Sequence, residues 1–306
     1  MKRGLVKAAL TSALSESRPL DWSVAARPSI LRRGEKVAIA YFVYTAVMVS
    51  VYGEPVTRCL VAWMLPLVLG TALALESRYS AVWSRVTRDW ALLGLILIAY
   101  WQVDWLGSRS MQVPWQQTWI GWDRYLLHEA GLSGAIEAFG AWLPSILEAV
   151  YLCLYAIPPI CMGVLYVDCR RDRIDRYLTT LLLGTFCAYA LLPHFPTISP
   201  RIAFPGQDLP STISFWRGIN IWLLDHCDIS ASVFPSGHVA VAFSSAFGLL
   251  RAVPERRWAC LAAFAAAIIV FTATIYGRYH YAADGLASFV ITVAVWRILQ
   301  ALDRNA

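Results

Sequence analysis

Eight stretches of the chain are apolar over the length of a membrane-crossing helix or close to it: Val37–Tyr52, Cys59–Leu75, Trp90–Leu106, Pro144–Val167, Tyr177–Leu192, Ser236–Val253, Trp258–Tyr276 and Ala282–Leu302. About 20 apolar residues cross a bilayer as a helix, so the pattern predicts an all-α integral membrane protein with about eight transmembrane helices. The fifth run is the shortest. Pro158 and Pro159 interrupt the fourth, and the hydrogen bonds they remove predict a kink there. Two connections are long. Residues 107–143 mix Trp115, Trp119, Trp122 and Trp142 with Asp123, Arg124 and Glu129, which predicts short amphipathic helices at headgroup level. Residues 193–235 hold Pro193, Pro196, Pro200, Pro205 and Pro210, then an interfacial piece around Trp216–Leu224.

Composition agrees with a membrane setting. The chain is 58% hydrophobic and 15% charged, against about 45–50% and about 25% in soluble domains. Its net charge of +6 is explained by where the cations lie, without a nucleic-acid partner. Twenty of the 26 Lys and Arg fall in residues 1–36, in alternate connections and at the C-terminal end (Arg297 and Arg304), while Arg58, Arg109, Arg124, Arg201, Arg217 and Arg278 fall opposite. This asymmetry predicts cytoplasmic termini, with the connections 107–143 and 193–235 on the extracytoplasmic side. Residues 1–35 read as a cytoplasmic segment rather than a secretory signal, because Lys7 breaks the apolar run. The seven cysteines show no metal-ligand spacing. Asp225-His226-Cys227-Asp228 are adjacent in one loop, and four neighbours do not readily surround an ion, so no metal is expected.

Three separated elements carry chemistry. Pro235-Ser236-Gly237-His238 opens the sixth apolar run. Proline suits a first helical turn, Ser236 offers a hydroxyl, and Gly237 lets an anion approach the backbone, the makings of a phosphate site at a helix start. Arg278-Tyr279-His280-Tyr281-Ala282-Ala283-Asp284 joins the last two runs. If the last helix starts near His280, Asp284 is its i+4 neighbour and can orient the ring for use as a nucleophile. Arg201 lies in the 193–235 connection and offers a planar donor fork for phosphate oxygens. Asp123, Glu148, Tyr151 and His194 are candidates for the substrate cavity. The topology places these elements at one level, which describes a phosphoryl-transfer centre. A transporter would set its ionisable residues nearer the bilayer midplane.

These motifs resemble the type-2 phosphatidic acid phosphatase superfamily, whose pattern is Lys-x6-Arg-Pro, Pro-Ser-Gly-His and Ser-Arg-x5-His-x3-Asp. Pro235-Ser236-Gly237-His238 and His280-x3-Asp284 match it, whereas His194 replaces the Lys, Ile202 the Pro, and Thr274 the Arg of the third motif. Pro200-Arg201, Arg278-Tyr279-His280-Tyr281 and Glu148-x2-Tyr151-x3-Tyr155 look more like the inositol phosphorylceramide synthase (inositolphosphotransferase) branch. The resemblance implies a six-helix catalytic core over residues 90–306, with two additional transmembrane helices in 36–89. It implies that His280 attacks phosphorus, Asp284 orients it, and His238 exchanges the proton. Arg201, Arg278 (in place of the missing Arg), Ser236 and Gly237 then hold the phosphate oxygens, with neither metal nor cofactor. The implied substrate is a membrane lipid phosphoester, and the implied reaction is headgroup transfer or phosphate hydrolysis.

Overall fold

The computed structural model describes residues 31–76, 82–106, 114–229 and 232–305. The proposed N-terminal segment, up to residue 30, and residues 107–113 of the first long connection lie outside the described residues. Among those described there is no strand. The helices are α1 (Arg33–Val51), α2 (Val56–Glu76), α3 (Val82–Asp104), α4 (Trp115–Arg124), α5 (Leu132–Glu137), α6 (Trp142–Leu152), α7 (Ile157–Val167), α8 (Ile174–Leu191), α9 (Pro200–Ala203), α10 (Phe215–Cys227), α11 (Gly237–Ala252), α12 (Arg257–Tyr276) and α13 (Ala282–Arg304).

All eight apolar runs are mainly helical. Among the described residues, five helices are long and apolar enough to cross a membrane: α1, α2, α8 with its flanking turns, α12 and α13. The pair α6 and α7 forms a sixth candidate span, bent by 54°. That bend falls at residues 153–156, just ahead of Pro158 and Pro159. The prolines themselves occupy the first turn of α7, where a missing N–H leaves no helical acceptor unpaired.

Helix α11 has 16 residues, about 24 Å at 1.5 Å per residue, yet it is buried along nearly its whole length. It forms the centre of the bundle, with α8, α12 and α13 packed around it. Contact with α8 depends on small side chains. A Cβ on Gly184 would lie 2.2 Å from Ser244 Oγ, so only glycine permits this helix separation. Helix α1 docks on α8 by stacking Tyr41 on Phe186, centroids 4.3 Å apart. Helix α2 is peripheral and exposes Leu60, Trp63, Met64, Leu67 and Val68, a surface suited to lipid.

The ends of the bundle differ. At one, buried Glu35 accepts hydrogen bonds from Arg88 (2.5 and 2.6 Å), while Asp89 accepts from Arg32 (2.5 Å), Arg171 (2.9 Å) and Tyr166 (2.7 Å). At the other, the short helices α4, α5 and α10 gather over the turn joining α12 and α13. Helix α4 buries Gln116, Ile120 and Asp123 and exposes Trp115 and Trp122, the two-faced pattern expected of residues 107–143.

Candidate active site

The start of α11 is tied to the first turn of α13. Ser236 caps α11, its Oγ accepting from the Val239 N–H at 3.3 Å. Its own N–H donates to the Asp284 carbonyl at 3.1 Å, and its carbonyl accepts from Ser288 Oγ at 2.8 Å. Ser236 is therefore fully buried and acts as a cap behind the cavity wall. The N–H groups of Gly237 and His238 belong to the first turn, where no intrahelical acceptor exists. Gly237 is required by packing, because a Cβ there would meet the Tyr189 ring at 2.7 Å.

The second half is the turn between α12 and α13. The N–H groups of Tyr279 and His280 both donate to the Thr274 carbonyl, at 2.9 and 3.1 Å, and Arg278 takes φ +65°, in the left-handed region. His280 precedes α13, whose cap is Tyr281, so the two residues do not meet as neighbours on a helical face. Instead the Asp284 carboxylate folds back over the cap. Its Oδ2 accepts the Tyr281 N–H at 2.9 Å and lies 3.3 Å from His280 Nδ1. The Val233 carbonyl lies closer to the same nitrogen, at 3.1 Å.

Two oxygen acceptors on His280 Nδ1 require a hydrogen there. Nε2 is thus the lone-pair nitrogen, and it faces His238 Nδ1 at 3.2 Å. Burial pushes the His280 pKa down, to about 4, with Asp228 opposing, so the neutral form prevails at neutral pH. Tyr151 stacks on His238 with centroids 5.2 Å apart, and Tyr279 stacks on Tyr151 at 4.5 Å.

Both histidines line a cavity of about 20 Å³, together with Arg201, Asp228, Gly237, Tyr100, Tyr151 and Tyr279. That is room for roughly one or two waters. Arg201, Gly237, His238, His280 and Tyr151 of the expected site meet at this wall. Asp284 stands behind His280. Arg278 points elsewhere: it is fully buried, donates to Asp123 Oδ2 at 2.9 Å, and has Asp208 at 4.0 Å. Its Nε and Nη2 have no hydrogen-bond partner. Asp123 Oδ1 accepts the Ala282 N–H at 2.9 Å, and burial raises its pKa to about 6 against the pull of that bond and of Arg278.

Glu148 is likewise behind the wall, accepting from Arg217 (2.9 Å), Asn220 (2.8 Å) and Tyr279 (2.6 Å). His194 is exposed and contacts the Tyr44 hydroxyl at 2.9 Å. Asp225, His226 and Asp228 go to separate partners: Arg201, the Trp222 carbonyl and Tyr100. Sequence reasoning missed the Val233 carbonyl, which no residue type announces, and the Arg217–Asn220 pair, whose i, i+3 spacing on α10 was a usable signal. It also missed Asp228 as a cavity residue.

Comparison with known proteins accords with this geometry. A PA-phosphatase related-family protein from Dictyostelium discoideum is 27% identical over 128 residues, covering 40% of this chain and 22% of that protein. The chain therefore spans about a fifth of that relative's length. No solved structure matches. The sequence profile of the PAP2 superfamily matches residues 122–298, more than half of the chain and all of the cavity wall except Tyr100, and the protein belongs to the PAP2 superfamily.

Proposed function

We propose that this protein is a membrane enzyme that transfers phosphoryl groups of lipid phosphoesters through a phosphohistidine on His280. The observation that carries this reading is the paired ring geometry: His280 Nδ1 is held by Val233 and Asp284, and Nε2 faces His238 across 3.2 Å at the cavity wall. In the first step the Nε2 lone pair attacks phosphorus, the bond to the leaving oxygen breaks, and His238, as the imidazolium that the entering anionic phosphoester stabilises, gives that oxygen its proton and becomes neutral. In the second, an acceptor hydroxyl attacks phosphorus, its proton passes to His238, and the P–N bond pair returns to His280. Arg201 and the first-turn N–H groups of α11 hold the non-bridging oxygens. Ser236 and Arg278 serve from behind, by fixing the α11 start and the 277–281 turn. The Lys and Arg distribution supports a site on the extracytoplasmic face with both termini cytoplasmic.

Transfer of a phospho-headgroup to an alcohol is favoured over hydrolysis by the resemblance to the inositolphosphotransferase branch. The test is purified protein with a lipid phosphodiester labelled at phosphorus, with and without alcohol acceptors. Label in a new lipid ester, and its loss in His280→Ala, is the expected result. Free phosphate released from lipid monophosphates at an unchanged rate whatever the acceptor makes the protein a phosphatase. Activity retained by His280→Ala overturns the phosphohistidine.

A further inference from the structure

Asp228 has no part in the mechanism above and belongs to none of the three motifs, yet its carboxylate lines the cavity beside both histidines. Its Oδ1 accepts from the Tyr100 hydroxyl and from the Ile229 N–H at 3.0 Å. Oδ2 lies 3.9 Å from Arg201 Nη2, beyond hydrogen-bonding reach, and so keeps acceptor capacity. Arg201 donates instead to Asp225 at 2.8 Å. The group of Arg201, Asp225 and Asp228 therefore carries formal charge −1 at the mouth of a site that must receive an anion.

We infer that Asp228 is a specificity-determining residue: its carboxylate accepts a hydrogen bond from a hydroxyl on the alcohol side of the phosphoester and disfavours doubly charged monoesters. The inference rests on the phosphoryl-transfer reading of this site. Phosphate oxygens draw Arg201 toward themselves, which weakens its hold on both carboxylates just as new negative charge arrives. A substrate hydroxyl compensates Asp228 directly, whereas a bare phosphate brings only repulsion. A monoester near pH 7 carries about −1.5 to −2, and a diester carries −1. An ammonium headgroup would meet the same carboxylate as a charge-assisted pair, the alternative that the phosphatidylethanolamine donor separates in the experiment.

The experiment measures kcat and KM of the purified full-length protein in mixed micelles with four donors of identical acyl chains: phosphatidylglycerol, phosphatidylmethanol, phosphatidylethanolamine and phosphatidate. The wild type is expected to favour the glycerol headgroup. Asp228→Asn should lose that preference over the methanol headgroup by about tenfold, mainly in KM. It should also gain on phosphatidate relative to phosphatidylmethanol by about ten- to a hundredfold, the scale of one removed charge about 6–12 Å away at an effective dielectric near 20. An equal fractional loss on all four donors overturns the inference in favour of a structural role. Selective loss on phosphatidylethanolamine overturns the hydroxyl assignment. If Asp228→Asn does not fold, Asp228→Ser, which also removes the charge, is scored on the same donors. An unchanged donor ranking there overturns the inference. His280→Ala, run in parallel, distinguishes failure of the phosphohistidine reading from failure of the Asp228 assignment.

Discussion

Replacing Asp284 by Asn tests how the nucleophile is held. A buried carboxylate that alone orients a catalytic imidazole is worth about 10⁴-fold in rate, because its amide favours the wrong tautomer. Here the work is shared. The Val233 carbonyl is 3.1 Å from His280 Nδ1 and the carboxylate 3.3 Å, and Oδ2 also accepts the Tyr281 N–H at 2.9 Å. A backbone carbonyl cannot be mutated away, so the Nδ1–H tautomer survives in the variant. What is lost is the carboxylate's stabilisation of positive charge on the ring during attack, a charge-assisted hydrogen bond of about 1.5–3 kcal/mol. At about 1.4 kcal/mol per tenfold, kcat should fall by roughly 10- to 150-fold with little change in KM. Single-turnover formation of acid-labile, phosphorus-labelled enzyme measures the step directly, and His280→Ala sets the zero. A loss of 10⁴-fold or more would mean that Val233 contributes nothing to orientation. A loss under threefold would mean that Asp284 only caps α13.

Other consequences concern the turn and the orientation. Arg278→Ala breaks a fully buried ion pair with Asp123 and should cost about 3–5 kcal/mol, whereas Thr274→Ala removes only a hydroxyl bonded to the Phe271 carbonyl and should cost about 1 kcal/mol; thermal unfolding in detergent ranks them, and the reverse order refutes the assignment. Asp123 titrates near 3.8 unfolded and about 6 folded; a raised carboxyl pKa means that the folded state holds the proton longer. Its contribution is therefore full below pH 4 and declines by about 3 kcal/mol as pH rises to 6, and Asp123→Asn should flatten this slope. A cysteine at Gln207, in the connection beside Asp208, should react with an impermeant thiol reagent in intact cells, after correction for native Cys227; labelling only in broken cells reverses the orientation.

The residues that announced themselves in the sequence did so through local pattern. Apolar runs marked the helices, and Pro235-Ser236-Gly237-His238 marked the α11 start, because caps and periodicity depend on near neighbours. The His280–Asp284 pairing was legible but for an incomplete reason: the spacing suits a helix face, while the contact arises from a carboxylate folded back over a cap. Less legible were the partners that folding supplies from far along the chain. Arg278 was assigned to phosphate by the resemblance, in place of the missing Arg at Thr274, and in the structure its Nη1 donates to Asp123, 155 residues earlier in the chain. Glu148 was assigned to the cavity, but Arg217 and Asn220 take it. An isolated Asp or Glu near a predicted cavity says nothing of the cation that folding will bring to it. In a low-dielectric interior that pairing is close to obligatory, since an unpaired buried charge costs several kcal/mol. Asp228 is a different case, because it is exposed to solvent and under no such obligation to pair. Its Oδ2 lies 3.9 Å from Arg201, which is already bonded to Asp225. A carboxylate oxygen left open at the cavity is one that a substrate hydroxyl can complete.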